Sequence, residues 1–263
     1  MTDTLITSLI AALAINMLMF LIAFRWQSDK LTDVSYALTF IVVILISAIR
    51  AITLNVYSIV LIGMVCVWAL RIGSFLLIRV MRVGKDRRFD GTREHFWKFG
   101  KFWLGQALTV WLLLLPATLA LYKQNRQGGS IAGIGLIVWL IGLSVESLAD
   151  YQKYTFSQDP HSRNRWIQEG IWRYSRHPNY FGEIVVWVGL YLYTLQSLSG
   201  PGKIIGLASP IFIATLLFFV SGVPILEKSA DQRWGNISEY RQYKKQTSLI
   251  VPIPRSNCIR RSS

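Results

Sequence analysis

Charged residues are scarce in this sequence: Asp, Glu, Lys and Arg make up 16% of 263 residues, whereas 52% are hydrophobic. Ordinary soluble domains carry about a quarter charged residues and disordered chains more, so both classes are excluded. Acid is the scarcer sign, with 14 Asp plus Glu against 28 Lys plus Arg and a formal net charge of +14. Such a balance also occurs in nucleic-acid binders, but the apolar runs assign it to one face of a membrane, and no nucleic-acid partner is expected. Two cysteines, Cys66 and Cys258, cannot build a disulfide scaffold or a zinc cluster. Cys66 lies in an apolar run and reads as a small filler. His95, His161 and His177 are too dispersed for a metal site, so no metal is expected. Gly133-Ile134-Gly135 lacks a preceding strand and a third glycine, which makes it a packing site in a span and not a dinucleotide fingerprint.

What the sequence has is long apolar runs. A bilayer core of roughly 30 Å takes about 20 helical residues. Seven runs of that order extend from Leu5 to Phe24, Val34 to Ile49, Ile52 to Leu70, Phe102 to Tyr122, Ile131 to Ala149, Pro178 to Leu198 and Ile204 to Val223. The second and third are separated by little more than Arg50 and read equally as a broken hairpin. The expected fold is an all-α integral membrane bundle of about seven transmembrane helices. Pro116 and Gly142 are isolated inside spans, so there is little sign of a broken helix. Trp26, Trp103 and Tyr122, at span ends, read as interfacial anchors.

The positive charges set the orientation. With the N-terminus outside, the inner segments hold two (Arg25, Lys30), eight (Arg79 to Lys101), five (Lys153 to Arg176) and eight (Lys228 to Arg261) cations. The outer side holds Arg50, Lys123, Arg126 and Lys203, and Arg71 lies inside the third span. Lys and Arg concentrate on the cytoplasmic side, so the C-terminus is expected in the cytosol and an odd number of spans is favoured. The first run is not a cleaved signal, although Ala11-Ala12-Leu13-Ala14 offers small residues: its n-region has Asp3 and no cation. The expected location is the cell membrane, taken as a bacterial inner membrane. The chain reads as one multi-pass unit over 1–263.

Polar residues gather in Gly170 to Glu183, which leads into the sixth span. Pro178 suits a first helical turn, where its missing N–H is not needed. The helix N-terminus then points its free N–H groups at the cytosolic face, with Arg173 and Arg176 just before it, a combination suited to a phosphate. Asn179 and Glu183, four apart, share one helix face. Tyr180 adds a phenol able to donate a proton, and Gly182 permits close approach of a backbone or a ligand. A plain polar capping cluster is the alternative. Glu146 and Asp150, also four apart, need partners. Arg163, Arg165, Arg173 and Arg176 can neutralise them in a structural network; otherwise Asp150 accepts hydrogen bonds from nucleotide hydroxyls while the arginines hold its phosphates. Glu227, Asp231, Trp234, Tyr240 and Tyr243 form a basic aromatic stretch that reads equally as an interfacial helix.

The run Arg176-His177-Pro178-Asn179-Tyr180-Phe181-Gly182-Glu183, with Lys30-Leu31-Thr32-Asp33, the stretch from Glu146 to Asp150 and the tail from Glu227 to Pro252, resembles the DUF1295 family of membrane proteins. That family is related to the C-terminal half of steroid 5-alpha-reductases and, further off, to sterol reductases. The resemblance to DUF1295 spans most of the chain; that to the steroid reductases begins at about Ile131. It implies a cytosolic half that encloses NADPH, over 131–255, and substrate-side helices over 1–130 that admit a flat lipid. Asn179 and Glu183 match positions at the nicotinamide end, and Asp150 an acidic position at the cofactor. Arg82, Lys85, Arg173 and Arg176 are expected at phosphates, and Trp172, Tyr180, Glu227, Tyr240 and Tyr243 complete the expected cofactor-binding set. The steroid reductases' Gln-Glu pair and third-helix Tyr, which bind the steroid ketone, have no match. Tyr36 or Arg71 is left to polarise a carbonyl, so the expected catalytic set is Tyr180, Glu183 and Arg71.

The expected function is NADPH-dependent reduction of an activated, enone-type C=C bond in a steroid-like or other lipid. Arg-His-Pro followed by Tyr-x-Gly also resembles S-adenosylmethionine-dependent membrane methyltransferases of the isoprenylcysteine and phospholipid type. A non-enzymatic lipid-binding protein is the third reading. The substrate, the proton donor, the choice between NADPH and NADH and the oligomeric state are not legible in the residues.

Overall fold

A computed structural model describes residues 2–51, 54–83, 89–123, 129–162 and 164–254. The described chain is all-helical: α1 (Thr2–Arg25), α2 (Lys30–Ile49), α3 (Val56–Val83), α4 (Phe96–Lys123), α5 (Ser130–Gln158), α6 (Pro178–Thr194), α7 (Gly200–Thr215), a π segment (Leu216–Val220), α8 (Val223–Trp234) and α9 (Ser238–Gln246). Two short 3-10 turns, Pro160–Ser162 and Gly170–Arg173, lie between α5 and α6. Among the described residues six stretches are long and apolar enough to cross a membrane: Thr2–Arg25, Lys30–Ile49, Val56–Met81, Phe96–Tyr122, Ser130–Gln158 and Gly200–Trp234. The protein is a multi-pass membrane protein.

The helices overrun the apolar runs. α3 continues past Leu70 through Arg71 and Arg79, and α5 continues past Ala149 to Gln158. Hydropathy marks where lipid ends, whereas a helix ends only where a breaker or a competing cap stops its hydrogen bonding. The chain does break where little breakage is expected. After α7 the helix widens into the π segment, and Ser221 and Gly222 turn the chain into α8.

The chain divides into two compact units, one of Met1–Leu136 with Leu190–Phe212, the other of Ile137–Gly189 with Ile213–Ser263. In the first, α1 buries Thr4, Ser8, Ala12, Asn16 and Phe20, one residue per turn, and packs on α2 and α4. Polar groups bond across this contact. The Asn16 amide donates to Thr39 Oγ1 at 3.1 Å, and the Gln106 amide donates to Asn16 Oδ1 at 2.9 Å and Ser35 Oγ at 2.8 Å. Without water, such groups must find each other. Trp103 is not an interfacial anchor: it is fully buried in a cluster with Phe20, Phe89 and Phe99. Its place near a span end says nothing about which way its ring faces. Of the glycines in Gly133-Ile134-Gly135, Gly133 is exposed, with nothing within 4 Å of an added Cβ, whereas Gly135 is buried.

In the second unit, the packing of α5 on α6 depends on two glycines. A Cβ at Gly182 would lie 2.5 Å from the Glu146 amide nitrogen, and one at Gly142 would lie 2.5 Å from that of Val186. The close approach expected of Gly182 is thus to a helix backbone, and Gly142 has the reciprocal role.

Candidate cofactor site

α6 begins at Pro178, as its missing N–H allows. The His177 carbonyl accepts from the amides of Tyr180 and Phe181, at 3.1 and 3.3 Å, and the His177 amide donates to Ser175 Oγ at 3.1 Å. The segment before it is strapped by the C-terminal stretch. Arg176 donates its amide to the Ser248 carbonyl at 2.9 Å, Ser175 Oγ donates to the Ile250 carbonyl at 2.7 Å, and the Ile253 amide donates to the Tyr174 carbonyl at 3.2 Å. This strap was not legible in advance; its signal is the apolar, proline-punctuated run Leu249 to Pro254 after a polar helix.

Glu227, on α8, organises the charges. One of its oxygens accepts from Arg176 at 2.6 Å and from Lys244 at 3.0 Å, the other from His177 Nε2 at 2.9 Å. Lys244 also binds Asp231, one turn further along α8, at 2.6 Å. The i, i+4 spacing of Glu227 and Asp231 places both carboxylates on the face that meets Lys244. Burial opposes the Lys244 charge, but the hydrogen bonds it donates to Asp231 and Glu227 hold its ammonium above the usual lysine range.

Burial pushes the His177 imidazole below the usual histidine range, against the pull of Glu227 upward. A neutral ring that donates from Nε2 to Glu227 leaves Nδ1 as an acceptor, and that atom is buried without a hydrogen-bond partner among the described residues. The ring stacks on Tyr180 with centroids 5.5 Å apart and planes 14° from parallel.

Beside this network opens a cavity of about 490 Å³. Among the described residues four cations line it, Lys153, Arg165, Arg176 and Arg233, with one carboxylate, Glu227. Its aromatic wall is Trp166 with Trp234 and Tyr240, whose ring centroids lie 6.0 and 5.1 Å from that of Trp166. A second depression of about 860 Å³ shares Phe156, Ser162, Asn164, Arg165, Trp166 and Ile167 with the first. The two thus adjoin along one wall. The volume suits a small-molecule ligand, the cation surplus selects an anionic one, and the aromatic faces offer stacking.

The expected residues divide as follows. Arg176, Trp172, Glu227, Tyr240 and Tyr243 line the cavity. Trp172 donates its indole N–H to the Ala149 carbonyl at 3.1 Å, and Tyr243 donates its hydroxyl to the Trp172 carbonyl at 3.2 Å, so both also brace the wall. Asp150 and Asn179 meet across α5 and α6, the Asn179 amide donating to Asp150 Oδ1 at 3.4 Å; Asp150 and Glu146 are buried at 6% and 2% exposure. Glu183 and Tyr180 lie on the same helix, α6. Arg173 is exposed, with its guanidinium 5.1 Å from the Tyr174 ring centroid. Arg71 lies in α3, in the first unit. Lys85, Arg163 and the Arg82 side chain lie outside the described residues. Arg165, expected in a structural network or at a phosphate, lines the cavity; Lys153, Trp166 and Arg233 were missed as cavity residues because no local motif contains them. Among the described residues no group of His, Cys, Asp and Glu is arranged to hold a metal ion.

No curated protein and no solved structure matches the chain. A family model described as "Protein of unknown function (DUF1295)" matches residues 19–247. That range takes in α2 to α9, the Glu227 network and the cavity wall, and the chain belongs to the DUF1295 family.

Proposed function

We propose that the protein is an NADPH-dependent reductase of an activated, enone-type C=C bond in a steroid-like or other lipid substrate. The observation that carries this reading is the cavity, whose lining, among the described residues, sets four cations and an aromatic wall against one carboxylate beside the start of α6. The lining of the first cavity supports a phosphate-bearing ligand, with Arg176 and Arg233 for phosphate oxygens and Trp166 for the flat face of a base. Glu227 is matched by Arg176 and Lys244.

When bound, NADPH would supply a hydride to the electron-poor carbon of the double bond. The chain's own residues do the rest. Asn179 and Glu183 hold the nicotinamide end and Asp150 meets the cofactor as an acidic partner, as the family resemblance implies. The Tyr180 phenol gives a proton to the other carbon and regains one from water. Glu183 orients that end of the site.

The membrane arrangement completes the proposal: seven spans, with the N-terminus outside and the C-terminus in the cytosol. The seventh is α6. Its 17 residues, at about 1.5 Å each, reach about 25 Å, a mismatch that local thinning of the bilayer absorbs.

Titration of detergent-purified protein with NADPH, read by its fluorescence, tests the assignment. Asn179→Ala and Glu183→Ala are expected to abolish binding. Unchanged affinity in both defeats the reading, and tight S-adenosylmethionine binding without NADPH binding replaces it with the methyltransferase one.

A further inference from the structure

Two separate contacts fix the ring of Tyr180. The His177 imidazole lies parallel to it. At its edge stands Gly222, where a Cβ would lie 3.0 Å from Tyr180 Cε2 and 2.5 Å from the Leu217 carbonyl oxygen. Only hydrogen fits there, so the identity of residue 222 sets how far the ring can move in that direction.

Both contacts trace to the same break in the chain. The π segment ends with the Ser221 amide bonded to the Leu216 carbonyl at 2.9 Å. Gly222 then turns the chain, and Pro224 sits in the first turn of α8. One turn later α8 presents Glu227, whose carboxylate holds the ring stacked on Tyr180 and the arginine beside it. A single short segment therefore supplies the edge stop and the carboxylate clamp. Isolated π turns are frequent at functional sites in helical proteins.

We propose that Gly222 and Glu227 are positioning residues for the Tyr180 phenol: the turn after the π segment docks α8 so that His177 and Gly222 together hold the phenol in one orientation. This rests on the reading of Tyr180 as proton donor. Proton transfer needs hydrogen-bond distance, and a displacement of about 1 Å costs up to about a hundredfold in rate.

The experiment uses full-length protein labelled with fluorotyrosine in detergent, with the Tyr180 fluorine resonance assigned by its loss in Tyr180→Phe. Gly222→Ala is expected to shift that resonance. Because Gly222→Ala can fail to fold, Glu227 provides a second arm. Glu227→Ala is expected to shift and broaden the resonance, and Glu227→Gln, which keeps an oxygen for His177 Nε2, to restore most of it. Asp231→Asn, which touches Lys244 but neither Arg176 nor His177, is expected to leave it in place. An unmoved Tyr180 resonance in folded Glu227→Ala, or no difference between Glu227→Ala and Glu227→Gln, overturns the proposal. NADPH titration of the same samples separates the two claims: failure to bind NADPH sinks the reductase reading and leaves the positioning result standing as measured.

Discussion

Gly182 of α6 lies against the backbone of Glu146 in α5, so closely that a Cβ at position 182 would sit 2.5 Å from the Glu146 amide nitrogen. This contact lets α5 and α6 bring Asp150 to Asn179 one turn further along. Gly182→Ala is expected to force the helices apart at a cost of about 1–3 kcal/mol. The melting temperature in detergent should fall, and NADPH affinity should fall with it. An unchanged melting temperature contradicts the packing argument.

The His177 ring gives a pH dependence of stability. Its folded-state pKa is lowered, by burial first, so the unfolded chain takes up a proton before the folded one does. The stability present above the usual histidine pKa, about 6.5, is therefore lost as pH falls through that value toward the folded pKa. Thermal unfolding between pH 8 and pH 5 should show a drop that is flattened in His177→Gln, and an equal slope in both proteins counts against it.

Arg93 is buried at 2% exposure against Asp29 at 4%, with 3.0 Å between them. Arg93 also meets Asp90 at 2.5 Å, and removing a buried cation from its carboxylates is costly, so Arg93→Met is expected to cost about 3–5 kcal/mol. Arg93→Met combined with Asp29→Leu should cost less than Arg93→Met alone, as read by denaturation in detergent.

Gln106 joins α1 and α2 through Asn16 and Ser35. Bonds of this kind are worth about 0.6–2 kcal/mol each in a membrane. Gln106→Leu is expected to lower the unfolding midpoint without altering NADPH affinity, because this network lies in the first unit, whereas the residues lining the cavity belong to the second.

Topology is open to direct labelling. A single cysteine at Lys203 is expected to react with an impermeant maleimide added outside intact cells, and one at Lys245 only after permeabilisation. The reverse pattern would invert the proposed orientation.

Several features were readable from local chemistry. Pro178 marks the first turn of α6 because a ring without an N–H fits there, and the spacing of Asn179 and Glu183 places them on one helix. Other features were hidden. Trp103 reads as an interfacial residue but its ring packs inward, since a position along a helix does not reveal its azimuth. Gly142 looked incidental until α6 was laid against it.

The residues alone determined that this chain is helical and lies in a bilayer: lipid offers no partner to a backbone amide, so long apolar runs must bond internally. Only tertiary structure decided which charges meet. Glu227 is 51 residues from Arg176, and Lys244 joins them from another helix. Ion pairs depend on distance in space, which sequence separation does not fix.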